Sequence, residues 1–552
     1  MVVIQGCVGS KKASELFHRA DDGEWSRVTG ASWDVRVRTD QSHRVTRLKD
    51  GFVIQDRAWR SSNSDLGEPN GAWILIREAQ PGVLSVTTDR LASIPLYVGV
   101  ANGTTAFASR LRDLGRAGWR EPDPLGIYQW VLLDQCLGMQ TPLRGVSALP
   151  GSTRTELDNV KVRIKETYWT PEVNPKLDGS VQDYIEPAIT HLSAALAHCA
   201  PDPAQKLALP VTGGMDSRCN LALMEEQVQR SLLFHTEDLG DFELPIARSI
   251  AAHYSKELTV YSSRDWMKNV TSLDLGLETG EFNAAHWRLA DTAQRLVNDH
   301  GAEATVDGFF QDLLFKASFV SPEPAATLLQ KQLNLAHYRA NVLGLDVHTP
   351  LFREFEDSLR AEIGLTDDGL TASQAYYIRN RSRRLVYNIV RLNQNHLDVR
   401  TPGLDHELID FGLSIPWNLR NNALLYRHII QALDPKLAQF VYDKSGLPLM
   451  DLRRSSWKRR VRRATMPYLR RILPALARKP SGGTNFTRLY RESPQFRATV
   501  RTYVEQSNWI TSLLGDSLFE NLELRRRQGR GATDVIGILV TASALNQQTV
   551  AN

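Results

Sequence analysis

Leu207-Ala-Leu-Pro-Val-Thr-Gly-Gly-Met-Asp-Ser-Arg218 is the stretch on which the reading of this chain turns. A short apolar run breaks at Gly213-Gly214, passes a polar pair and enters the helix-period pattern of residues 219–226. Paired glycines let a backbone turn sharply and come close to an anion. The helix start that follows offers unpaired N–H groups and the positive end of a dipole. Ser217 adds a hydroxyl donor for phosphate. Asp216 is placed to hold Mg2+, which takes hard oxygen ligands and shares them with phosphates. Taken alone, the same string also describes a strand-to-helix turn that binds nothing. It is not a Walker loop, because GxxxxGK[ST] is absent.

Downstream and immediately upstream, helix-period segments such as 184–198 alternate with short apolar runs at 207–210, 231–234 and 258–260. That alternation predicts an α/β unit with a parallel sheet covered on both faces. Beyond about residue 372 helical patterns dominate. Before about residue 169 the texture differs: short strands such as 72–76, 83–87 and 96–100 are separated by Gly, Pro, Asn and Asp clusters, which predicts an antiparallel, sheet-rich unit. The turn-rich stretch 170–179 is the expected boundary, giving domains at 1–170 and 180–552.

Composition agrees with two soluble globular domains: 552 residues, 42% hydrophobic and 23% charged. No apolar stretch is long enough to span a bilayer, and the opening MVVIQGCVGSKK does not read as a secretory signal, so a cytoplasmic protein is expected. The four cysteines, Cys7, Cys136, Cys199 and Cys219, form no CxxC pair, which argues against a disulfide scaffold or a cysteine-based zinc site. Net charge is +4, but residues 451–480 hold eleven Lys or Arg and one acid. Within it, residues 453–471 carry interleaved Trp457, Met466 and Tyr468. The stretch reads as a solvated helical face, with binding to an anionic peptide, a glycan or a membrane surface as the competing reading; Pro467 and Pro474 interrupt any long amphipathic helix and no nucleic-acid motif accompanies it.

The string Val211-Thr-Gly-Gly-Met-Asp-Ser217 resembles the S-G-G-x-D-S pyrophosphate loop of the asparagine synthetase superfamily and related PP-loop ATP pyrophosphatases. Further pieces follow in the family's order. Asp241-Phe-Glu243 with residues 246–252 is similar to its D-E-x-x-x-A segment. Residues 305–315, TVDGFFQDLLF, are similar to S-G-x-G-x-D-E-x-F, with Gly308 in the loop and Asp312 at the second metal-binding aspartate. Residues 396–408 resemble S-L-E-V-R-x-P-x-L-D-H, and residues 442–448 resemble R-x-K-x-G-F-x-x-P, with Lys444 at its essential lysine. Each piece alone has a plainer reading: Asp312 a turn residue, Lys444 a solvated one, Asp405-His406 a helix cap. Upstream, residues 83–97 with Asp89-Arg90 and Pro95-Leu-Tyr97, together with Phe107-Ala-Ser109 and Leu149-Pro-Gly151, resemble the family's Ntn-hydrolase-like glutaminase domain.

The chain departs from that pattern in two places. A glutaminase of this family uses cysteine as its mature first residue, its own α-amine serving as base. Here Val2 and Val3 follow Met1, Cys7 lies inside an apolar run, and no N-G-E-I-Y-N segment is present, so glutamine hydrolysis is not expected. In the second metal loop Phe309 and Phe310 replace a charged residue and a glycine, and Leu313 replaces glutamate. Loss of the cysteine also marks the β-lactam and carbapenam synthetases and the lasso-peptide cyclases.

The resemblance implies ATP and Mg2+ as cofactors, a carboxylate activated as its adenylate, and amide formation by an amine of the same small-molecule or peptide substrate, within a natural-product biosynthetic pathway and its partner proteins. Thr212, Gly213, Gly214, Asp216, Ser217 and Gly308 would bind nucleotide, Asp216 and Asp312 the metal. Lys444 would stabilise developing negative charge, and Tyr377 with Asp398 would take the proton from the amine. An ammonia-dependent amidotransferase and a non-catalytic scaffold are the competing readings.

Overall fold

The computed structural model describes residues 2–9, 11–17, 25–30, 32–39, 43–56, 69–171, 179–237, 243–262, 283, 286–364, 368–444, 446–454, 490, 493–515, 518–527 and 533–550. The fold is α/β, with antiparallel sheets first, then a five-stranded parallel sheet, then helices.

Twelve strands make the amino-terminal layers: β1 (Val3–Val8), β2 (Ser26–Thr29), β3 (Trp33–Arg38), β4 (His43–Arg47), β5 (Gly51–Asp56), β6 (Trp73–Gln80), β7 (Val83–Thr88), β8 (Tyr97–Ala101), β9 (Thr104–Ala108), β10 (Val146–Ala148), β11 (Thr153–Leu157) and β12 (Val162–Thr167). They form two six-stranded sheets, ordered β10-β8-β9-β1-β3-β2 and β12-β11-β7-β6-β5-β4. Alternate residues such as Ile4, Val35, Val37, Phe52, Ile54, Ile74, Ile76, Leu84 and Val86 share one buried cluster between the sheets, as a period of two requires. The other face of the first sheet, including Cys7, Tyr97 and Ala106, joins a second cluster with helices α1 (Leu111–Arg116) and α2 (Pro124–Leu133).

Two short polar systems hold this part in place. The Asp89 carboxylate is buried and accepts from the backbone N–H of Trp73, Leu91 and Ser93 and from the Ser93 hydroxyl. Burial pushes that carboxyl up to about 6, against the hydrogen bonds that favour its charge. Next to it, Arg90 forks onto Asp410 at 2.7 and 3.1 Å and lies 4.8 Å over the Trp169 ring, tying the antiparallel layers to the rest of the chain.

After α3 (Val181–His198), strands β13 (Leu207–Pro210), β14 (Leu232–Glu237), β15 (Leu258–Ser262), β16 (Ala304–Val306) and β17 (Asp398–Arg400) pair in parallel in the order β15-β14-β13-β16-β17. Chain order runs outward from β13 to β15 and then resumes on the other side of β13. The carboxyl ends of β13 and β16 therefore flank a topological switch point, the place where open α/β sheets bind ligands. The buried apolar cluster that contains this sheet also contains α1 and α2, so the hydrophobic interior runs unbroken from the antiparallel layers into the parallel sheet. The last helix, Thr533–Val550, returns to pack on α1 and α2. Among the described residues no helix is long and apolar enough to cross a membrane.

Replacing Asp89 by Ala strands several buried N–H groups at about 1–3 kcal/mol each. Urea denaturation is expected to show a loss of roughly 2–4 kcal/mol, with Asp89→Asn, which keeps an acceptor oxygen, losing less.

Candidate functional site

The carboxyl end of β13 is pinned to its neighbour by Val211 N–H donating to the Phe234 carbonyl at 2.8 Å. The chain then turns through Thr212, Gly213 and Gly214 into α4 (Met215–Leu223). Thr212 shapes the turn: its hydroxyl accepts from Gly214 N–H at 3.1 Å and lies 2.8 Å from the Ser217 hydroxyl. Gly213 N–H donates to Glu243 Oε2 at 3.3 Å, so a carboxylate already rests on the loop. Side chains are excluded at two points. A Cβ on Gly213 would stand 2.8 Å from Asp443 Cβ, and one on Gly308 would stand 2.6 Å from Asp216 Cβ. The three sequence-predicted loops are thus in contact at one edge of the sheet.

Four carboxylates and two lysines meet there. Asp216 Oδ2 accepts from Lys316 Nζ at 2.6 Å, while its buried Oδ1 has no partner, and the same holds for Asp443 Oδ1. Asp312 and Lys316 stand one turn apart on α5 (Gln311–Lys316). Burial raises the Asp312 carboxyl, the Lys316 charge opposes the rise, Asp216 adds to it, and Lys444 opposes it again. Asp307, on the loop with Gly308, is pushed up to about 6 by burial despite a 2.7 Å bond from Phe309 N–H. Burial disfavours the Lys316 charge, but Asp216 and Asp312 outweigh it and hold the ammonium protonated. Lys444 itself is exposed, on the turn between Val441–Tyr442 and Leu447–Pro448.

That turn is held on the glycine loop by Arg218. The guanidinium is fully buried and donates to the carbonyls of Gly213 at 3.0 Å, Leu437 at 3.1 Å, Phe440 at 3.0 Å and Val441. Asp443 N–H adds a 3.3 Å bond to the Gly213 carbonyl. Arg218 and Lys316 both lie in this cluster, and the motif reading passed over them. Lys316 carried one signal, its spacing of four residues from Asp312 on a helical stretch. For Arg218 there was none, since three of its four carbonyl partners lie more than 200 residues away.

A divalent cation fits these residues in chemical kind. Asp216, Asp312 and Asp443 supply hard oxygens, and unpartnered buried oxygens are left on Asp216 and Asp443. Among the described residues no group of three or more His, Cys, Asp or Glu converges as a protein-only metal site. An ion here would need oxygens from water or a bound ligand as well.

Tyr377 and Asp398, the expected proton-transfer pair, each bond elsewhere. Asp398 opens β17 opposite Ala304, at the amino edge of the sheet, whereas the glycine loop leaves the carboxyl edge. Its carboxylate accepts from Arg400 and, at 3.4 Å, from Gln205. Tyr377 lies in a π-helical stretch, Tyr377–Val386, and its hydroxyl accepts from Gln332 at 3.1 Å. Asp405 caps the helix His406–Ser414 through Leu408 N–H and also accepts from Asn70 at 2.6 Å. Phe309 and Phe310 are buried and stacked at 5.5 Å, and Phe310 adopts φ 73° where the resembled loops carry glycine. Asp241 and all but the first residues of the 453–471 basic stretch lie outside the described residues.

Cys7 sits in mid-strand, paired with Asp34 and Ala106 on either side. Its thiol donates to the Lys11 carbonyl at 2.9 Å, and burial pushes it up to about 12. Such a thiol is no nucleophile at neutral pH. All four cysteines are buried and none forms a disulfide among the described residues. The native protein should therefore show no thiol reactive toward DTNB between pH 7 and 8, and four after unfolding in guanidinium.

No protein-family model matches the chain, and no curated protein matches it. Among solved structures, NMN synthetase from Francisella tularensis is matched at 12% identity and a TM-score of 0.20, over 38% of this chain and 98% of that one. A likeness that distant carries no argument about the site.

Proposed function

We propose that this chain is an ATP-dependent carbon–nitrogen ligase of the asparagine synthetase-like kind, one that activates a carboxylate as its adenylate and does not hydrolyse glutamine. The amine is supplied by the substrate itself, so that the product is a lactam or macrolactam, as with β-lactam synthetases or lasso-peptide cyclases. The observation that carries this reading is the convergence of the Thr212–Ser217 loop, Gly308, Asp312 and the Lys444 turn at the switch point of a parallel sheet. The buried, protonated Cys7 thiol supports the absence of a glutaminase step.

In this reading the N–H groups of Gly213 and Gly214 and the hydroxyls of Thr212 and Ser217 receive the pyrophosphate portion of ATP. Glu243 gives up its bond to Gly213 as the phosphates arrive. Asp216 and Asp312 would hold Mg2+, which would supply charge neutralisation on the phosphates. The substrate carboxylate oxygen attacks the α-phosphorus, the α–β bridging bond breaks, and pyrophosphate leaves. The amine then attacks the acyl carbon, AMP departs, and one proton passes to solvent or to a base not identified among the described residues. Lys444, exposed on its turn, offsets negative charge on the leaving pyrophosphate; a cation held in this role is worth several kcal/mol of barrier.

The test is pyrophosphate release from ATP and Mg2+ in the presence of a panel of amino-carboxylate substrates and peptides. Substrate-dependent release that falls at least about 100-fold in Asp216→Ala and in Lys444→Ala is expected. Glutamine should give no glutamate. A requirement for added ammonia would replace the intramolecular amine with an amidotransferase, and failure of ATP to bind in any condition would leave a scaffold.

A further inference from the structure

Lys316 is the last residue of α5, and its side chain is only 8% exposed. The ammonium lies 2.6 Å from Asp216 Oδ2 and 5.7 Å over the Tyr426 ring, with Asp312 one helical turn back on the same face. The two aspartates come from different strand ends, Asp216 after β13 and Asp312 after β16, and the lysine charge acts on both. A cation shared by two carboxylates from facing loops is the position a divalent metal would occupy.

We infer that Lys316 is a built-in counter-cation that holds this place in the nucleotide-free protein, so that a divalent ion enters only together with the triphosphate. A metal arriving alone would meet a positive charge on a nearly buried side chain, where repulsion is screened less than in bulk water. A triphosphate carries enough negative charge for both: Lys316 would move its ammonium from Asp216 to a phosphate oxygen, leaving the Asp216 carboxylate free to hold the ion. The second half of this sequence rests on the nucleotide reading above, while the first half concerns Lys316 and the metal alone.

Titration with Mn2+ alone, followed by the loss of the free-ion EPR signal, separates the two. Lys316→Met is expected to bind one Mn2+ at least tenfold more tightly than the wild-type protein, and Asp216→Asn in the same background should remove that gain. Lys316→Arg, which keeps the charge, should behave as wild type. Lys316→Gln carries the same comparison should the methionine variant unfold, as judged by thermal melting. With α,β-methylene-ATP added, the wild-type protein should take up tight Mn2+ that it refuses alone. Equal Mn2+ affinity in the wild-type and neutral variants overturns the inference. Failure of the analogue to bind wild type with any metal overturns the nucleotide reading instead, and the Mn2+-alone comparison still decides the role of Lys316.

Discussion

The arrangement depends first on one buried guanidinium. Arg218 is enclosed at the start of a helix, and the oxygens it contacts are backbone carbonyls of Gly213, Leu437, Phe440 and Val441. Burial pulls its pKa down to about 10, yet the group remains charged at neutral pH. Hydrogen bonds to a charged group contribute about 1.5–3 kcal/mol each, which offsets the cost of desolvating it. The geometric effect matters more. A single side chain fixes the glycine loop to a segment more than 200 residues away and so sets where Lys444 stands relative to Gly213.

Around that clamp the site stores electrostatic tension. Asp216, Asp307, Asp312 and Asp443 crowd one edge of the sheet, and burial raises Asp307 and Asp312 above their usual range. Lys316 and Lys444 offset part of the charge. The left-handed backbone at Phe310 adds a conformational cost of order 1–3 kcal/mol, borne because its ring stacks on Phe309 and is buried. Crowded carboxylates and strained backbone do not improve stability. They are features that cluster at functional sites.

The antiparallel layers have a different emphasis. Their apolar faces are fully used, one between the sheets and one against α1 and α2, and the position that would need a reactive thiol is packed as core. Their polar residues instead reach the other part of the chain: Arg90 to Asp410, Asn70 to Asp405, and Gly138 N–H to Asn380. These contacts reach the helices next to β17 and the π-helical stretch, and support the architecture that presents the site.

What the sequence determined by itself was local. The strand, the glycine pair and the following helix were legible because their signals lie within a dozen residues, and the alternation of short apolar runs with helical periods gave the parallel sheet. The change from period two to period 3.6 near residue 170 gave the sequence of architectures. The apolar run around Cys7 read as core, and the strand there is buried. Tertiary structure decided which residues meet. Asp398 and the glycine loop belong to the same sheet, but register puts them at opposite edges, and no local pattern encodes that separation. Lys316 reaches Asp216 across 100 residues, and Arg218 reaches Phe440 across 222, because packing of facing helices and loops brings them within hydrogen-bond distance. A motif specifies the backbone shape of its own segment; the charge that faces it is chosen by the fold.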